Sequence, residues 1–255
     1  MLVGVAFTVL YVLGVRRARR RWPPVRTCAF LAGCIVLGIS AFASSSSFTG
    51  HMVEHVLIGM VAPLLLALGA PITLALQSCA PATARTLRRL LHSPVVRILT
   101  HPFVAWAVFG VTLVVLVFSP VLQWSVQDDA VHAFVHLHFL LAGYLFVATM
   151  LVVDPIPRPW PHGARLLAVL FAVPFHAIVG VALTTASAPV LPAVYPSLSD
   201  QRSAAAVLWA SGELFTLVLA AIVGRQWWLA DQRAAARFDR AQQVPLEVGV
   251  ADDTM

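Results

Sequence analysis

The stretch His51-Met52-Val53-Glu54-His55-Val56-Leu57-Ile58-Gly59-Met60-Val61-Ala62-Pro63-Leu64-Leu65-Leu66-Ala67-Leu68-Gly69-Ala70-Pro71 decides what kind of protein this chain is. It is a long apolar run whose first turn carries two histidines and a glutamate, groups that are costly in lipid unless they face protein, water or a ligand. Residues four apart on a helix lie about 40° from each other, so His51 and His55 stack on one face, one turn apart. Two imidazoles so placed can hold one metal ion. Met52 and Met60 point about 100° and 180° away from His51 on the same ideal helix and are read as packing.

The rest of the chain shares that apolar bias. Of 255 residues, 60% are hydrophobic and 11% charged, and the mean hydropathy is +0.86, far above a typical soluble domain. Seven apolar runs follow one another, at residues 1–15, 27–43, 51–76, 102–118, 131–153, 164–185 and 204–224. In lipid each run can satisfy its backbone polar groups internally only as a helix, so the expected fold is an all-α polytopic bundle of seven transmembrane helices. Residues 1–15 are short against the roughly 20 that a crossing needs, and no positive charge precedes them as it would in a signal peptide, which points to a start upstream of Met1. Pro63 and Pro71 are expected kinks in the third run. Ser44-Ser45-Ser46-Ser47 forms a polar loop before it, and residues 225–255 form a tail, Arg- and Ala-rich at first and mobile towards residues 250–254.

Seven spans make the loops alternate, and the arginines then sort. All 17 basic residues are arginine, and 16 of them (six over residues 16–26, then Arg85, Arg88, Arg89, Arg97, Arg158, Arg165, Arg225, Arg233, Arg237 and Arg240) fall on one side, leaving Arg202 alone on the other. The positive-inside bias therefore places the carboxyl end in the cytoplasm and the amino end outside. The formal charge of +6 belongs to membrane-surface anchoring, with no nucleic-acid partner implied. Three cysteines, Cys28, Cys34 and Cys79, have no CxxC or zinc-finger spacing and are expected to be buried, unreactive thiols.

With that topology the polar intramembrane residues can be placed by depth. His51 and His55 open the third span from the outside, and His132 and His136, again four apart, open the fifth from the same side. His176, following Pro174, lies roughly 15 Å deep in the sixth, and Glu213 reaches a similar depth in the seventh. The expected constellation is a column: four imidazoles near the outer surface, with one imidazole and one carboxylate near the midplane. Gly59, Gly143 and Gly180 share these faces and would let the helices approach closely, and Trp209 sits one turn outward of Glu213. Glu54 flanks the His51 face and either orients an imidazole or reaches the headgroups. His138 lies about 120° from His136 and is assigned to packing, while His92, His101 and His162 fall in arginine-rich inner loops.

Imidazoles with a carboxylate and no thiolate on the outer side suit copper or zinc, and the Irving-Williams order favours Cu(II); Cu(I) between stacked imidazoles is the other form. No G-x-S-x-G, HExxH or phosphate-loop motif is present, so no hydrolase chemistry is indicated. Two further functions use the same residues. Histidines on facing helices, His55 and His136 above all, can be the axial ligands of a heme. A polar column can also be the outer half of a copper transport path.

The motifs His51-Met52-x-x-His55 through Ala62-Pro63 and Leu68-Gly69-Ala70-Pro71, Leu99-Thr100-His101-Pro102, His132-x-x-x-His136 with Phe139-Leu140-x-Ala142-Gly143, Val153-Asp154-Pro155, Pro174-Phe175-His176-Ala177, Asp200-Gln201 and Trp209-Ala210-x-Gly212-Glu213-Leu214 occur in order. Together they resemble the multi-spanning CtaG family of cytochrome c oxidase assembly proteins. The resemblance implies seven spans in the bacterial plasma membrane, heme-copper oxidase subunits as partners, and a role in supplying copper on the outer face. By position it carries the family's recurrent polar residues onto His51, His55, His132, His136, His176, Asp200 and Glu213. The sequence departs from the family in its short first span and in His138, where an apolar or hydroxyl residue is more usual.

Overall fold

A computed structural model of the chain describes residues 2–43 and 47–242. The described residues are helical, with no strand among them: α1 Leu2–Arg17, α2 Pro24–Ala43, α3 Phe48–Leu68, α4 Pro71–Ser78, α5 Pro81–Leu91, α6 Pro94–Leu99, α7 Pro102–Phe118, α8 Val121–Gln127, α9 Asp129–Leu151, α10 His162–Thr185 and α11 Leu198–Gln242. Four of these, α3, α9, α10 and α11, are long and apolar enough to cross a membrane, and α7 with α8 would make a fifth, bent by 75°. The α1 helix and the apolar part of α2 are shorter. Ser44 to Ser46 of the serine loop and residues 250–254 of the tail lie outside the described residues.

The third run sits at the centre. Two-thirds of its apolar window (67%) is buried inside the protein, against 50% or less for α9, α10 and α11, and α2, α9 and α11 pack round it. A helix enclosed on several sides can carry polar groups that a lipid-facing helix cannot.

Two expected kinks take a different form. Pro63 has no N–H and its ring crowds the carbonyl of Gly59. The chain widens into a π turn over Leu57–Val61, and the Ala62 N–H reaches back to the Leu57 carbonyl. The displaced Gly59 carbonyl then points at Gly143 of α9, so closely that a Cβ at residue 143 would collide with it. At Pro71 the helix stops outright, earlier than the expected end near residue 76. Ala70, the residue before proline, is driven out of the right-handed helical region to a φ of 51°. The Gly69 carbonyl freed by this break accepts from the Tyr11 hydroxyl of α1 at 2.7 Å. Asp154 supplies the N-terminal cap of the new helix α4, accepting from the N–H groups of Ile72 (3.1 Å) and Thr73 (2.7 Å) and from the Thr73 hydroxyl (2.6 Å).

Elsewhere the boundaries move for local reasons. The fourth run ends at Phe118 as expected, and after Ser119-Pro120 the chain bends by 75° into α8. Asp128 caps α9 through the N–H groups of Ala130 and Val131. The last apolar run and the start of the tail form one continuous helix of 45 residues, about 68 Å long. Arg165 and Gln226 hold the carbonyls of Met150 and Leu151 at the end of α9. Cys34 is buried as expected, whereas Cys28 is exposed and Cys79 half-buried.

Candidate metal centre

Two helices supply the site, and each is held in place at a definite point. Ser47 caps α3 by accepting from the Gly50 N–H at 3.1 Å. Asp200, in the first turn of α11, accepts from the N–H groups of Phe48 (2.6 Å) and Thr49 (3.2 Å) and from the Thr49 hydroxyl (2.6 Å). The carboxylate thus meets the positive end of α3 from another helix. One turn further in, His51, Glu54 and His55 are buried. The close Gly59–Gly143 crossing brings α9 alongside, so that His132 and His136 meet them.

The four imidazoles converge. Ring centroids lie 4.5 Å apart for His51 and His55, 4.1 Å for His132 and His136, 5.5 Å for His51 and His132, and 5.2 Å for His55 and His136. The Nε2 atoms of His51 and His55 are 2.9 Å apart. Glu54 faces this group, its Oε1 lying 3.7 Å from His136 Nδ1. One ligand atom each from His51, Glu54 and His132 fall within 4.8 Å of one another, close enough for one cation to reach all three. Burial leaves His55 Nδ1, His132 Nε2 and His136 Nε2 without hydrogen-bond partners among the described residues. Glu54, open between two roles in the sequence, stands among the imidazoles.

Tyr195, on the loop before α11, closes the outer side. Its ring centroid is 5.3 Å from that of Phe48 and 6.0 Å from that of His51. Burial pushes its phenol pKa up, and the Glu54 and Asp200 carboxylates add to the shift, so the hydroxyl keeps its proton and can only donate or weakly accept. Nothing in the sequence marks Tyr195. It sits in an irregular segment without periodicity, positioned in part by Gln201, whose side chain ties Val190 N–H to the Leu183 carbonyl.

The midplane residues are arranged differently from the expected column. His176 is buried against α11, but the residue opposite it is Gly212, where a Cβ would collide with the imidazole ring. Glu213 lies about 100° further round the helix and accepts from Trp209 Nε1 at 3.2 Å on the exposed side. The imidazole and the carboxylate are therefore not partners. Trp209 also packs its Cβ against Gly180 across the α10–α11 contact. His176 instead shares a small cavity with His51 and His55. His138 bonds to the Thr112 hydroxyl at 2.7 Å, away from the cluster.

Truncating Asp200 tests how far this cap holds α3. Asp200→Ala is expected to cost about 1–2 kcal/mol of stability by freeing the first turn of α3. Thermal unfolding of the purified variant checks it, and an unchanged melting temperature would show that the cap does not hold α3.

The sequence matches, over residues 9–230, the model of the family described as cytochrome c oxidase caa3 assembly factor. The chain belongs to this family. Among curated proteins it is similar to uncharacterized proteins of Mycobacterium bovis and Mycobacterium tuberculosis, each 35% identical over 263 residues and covering 93% of this chain, and to one of Mycobacterium leprae, 35% identical over 268 residues and covering 94%. The matched region is 40% of each of those proteins, so the chain spans about two-fifths of their length. No solved structure matches. Every histidine of the cluster, together with Glu54, His176 and Asp200, falls inside the family region.

Proposed function

We propose that this caa3 assembly factor handles copper for a heme-copper oxidase. It takes the ion on the extracytoplasmic face through His51, His55, His132, His136 and Glu54, and passes it to an oxidase subunit that lacks it. The observation that carries this is the convergence of four imidazoles from two helices, three of them with a buried nitrogen left unpaired. Each such atom costs about 1–3 kcal/mol. A bound cation would remove that cost. Imidazole and carboxylate together suit Cu(II) better than a hard alkaline-earth ion. Copper is favoured over heme because rings with centroids 4.1–5.5 Å apart leave no slab of space for a macrocycle between them. An ion to be passed on must sit near an exit, and the cluster lies within the first turns of α3 and α9, with the Tyr195 and Phe48 rings packed beside His51.

The orientation rests on the arginines. Seven crossings, with α7 and α8 taken as one and α1 and α2 spanning where the bilayer thins, put 16 of 17 arginines in the cytoplasm and the imidazoles outside. Residues 1–224 form the membrane domain in the bacterial plasma membrane, and residues 225–255 the cytoplasmic tail. Trp227 and Trp228, both exposed, mark the interface where α11 leaves the lipid. The chain acts as an assembly protein, not an enzyme.

A host that lacks the protein and carries its partner oxidase is expected to make oxidase short of copper. The wild-type gene restores the metal content, while a His51→Ala/His132→Ala gene, expressed at the same level, does not. Full restoration by the double variant would contradict the proposal.

A further inference from the structure

The cavity that joins the outer imidazoles to His176 is lined by more than histidine. Met52 and Met60 both contribute to its wall beside His51, His55 and His176. On an ideal helix Met60 would face about 180° away from His51, but the π turn at Leu57–Val61 advances less per residue and swings it back towards the cavity, whose wall it joins. Both methionines are almost fully buried, at 3% and 5% exposure, and His176 is at 2%. His176 Nδ1 has no side-chain hydrogen-bond partner among the described residues, and the Ala172 carbonyl one turn back lies beside its ring. The remaining wall is apolar, and the space is about 20 Å³, enough for one water-sized particle.

We propose that the inner part of this cavity is a second cation site, specific for a soft monovalent ion, Cu(I) or Ag(I). Met60 and His176 are its ligands, and Met52 is the thioether beside the outer histidines. Thioether sulfur is a neutral, soft donor that favours Cu(I) over Cu(II). The apolar wall adds charge selectivity, because the cost of placing an ion in a low-dielectric medium rises with the square of its charge, so a divalent ion would cost roughly four times as much. The outer cluster, with its carboxylate, suits a divalent ion; the inner site, with neutral ligands alone, suits a monovalent one. The two positions therefore differ in the oxidation state of copper they hold, and lie along one cavity. This deepens the copper-handling proposal and rests on it only for how the ion reaches the cavity mouth.

The test uses the full chain in detergent micelles with Ag(I), which has no accessible redox chemistry here. Met60→Leu, near-isosteric, and His176→Asn are each expected to lower the Ag(I) retained after desalting by one ion per chain, while Cu(II) retention stays at the wild-type level and shows that the outer cluster is still folded. In a Cys28→Ser/Cys34→Ser/Cys79→Ser background, which removes the free thiols that would themselves take a soft ion, the Cu(I)-loaded protein should show a sulfur neighbour in its X-ray absorption spectrum, and adding Met52→Leu/Met60→Leu should lose it. Ag(I) retention unchanged in both single variants, or a Cu(I) spectrum with no sulfur in that background, would overturn the inner site. Failure of the outer copper site shows separately, as Cu(II) retention that does not change when His51, His55, His132 and His136 are replaced.

Discussion

Replacing Gly143 with alanine is expected to separate α3 from α9 and open the imidazole cluster. The added Cβ would meet the Gly59 carbonyl oxygen and the Pro63 ring. The oxygen belongs to backbone that the π turn has already displaced, so it has no rotamer by which to move aside. Alanine gains about 1 kcal/mol over glycine in helix propensity, but overpacking at a rigid contact costs about 1–3 kcal/mol, at times more. The steric loss outweighs the gain. Ligands must stay within about 0.5 Å of their working positions, so a shift large enough to clear the clash should lower copper affinity at least 10-fold and reduce the melting temperature. Gly38→Ala is the control, since nothing lies within 4 Å of a Cβ there, and it should be neutral or slightly stabilising. A Gly143→Ala protein with wild-type melting temperature and affinity would show that the crossing does not set the site.

Glu54→Gln is expected to have the largest effect of any single substitution on divalent copper. The glutamine keeps the shape of the side chain but removes its charge and replaces one acceptor oxygen with an NH2 donor that cannot ligate a cation, in a site where His51 and His132 offer the other ligand atoms. Truncating one partner of a buried charge pair costs about 2–5 kcal/mol, and the isosteric change should fall at the low end, roughly 30- to 100-fold in Cu(II) affinity. Cu(I) binding should change far less, because a monovalent ion gains less from a carboxylate. Equal losses for both ions would assign Glu54 to holding the helices together and not to the metal.

Much of this site was legible in the order of residues along the chain. Two HxxxH pairs, each opening an apolar run, identify two helix faces, and helical spacing stacks each pair. Gly59, Gly143 and Gly180 lie on those faces, and in the structure each packs against a neighbouring helix or its side chains. What could not be read came from departures from the ideal helix. The π turn before Pro63 re-aims Met60, and the Gly69-Ala70-Pro71 break ends α3 early. A count at 100° per residue assumes neither. Glu213 was placed by depth and by the family resemblance, neither of which fixes the angle round the helix, and the packed α10–α11 contact uses Gly212. Asp200, carried over only from the family resemblance, proves to be a cap on another helix, a relation between residues 152 positions apart.

In the proposed site, imidazoles from α3 and α9 share one copper ion. The most direct test is the copper retained per chain by the purified protein, wild type against a variant with His51, His55, His132 and His136 all replaced by alanine, with helical content checked in both. One Cu(II) bound by the wild type and none by the variant is the predicted result. The same stoichiometry in both would contradict it.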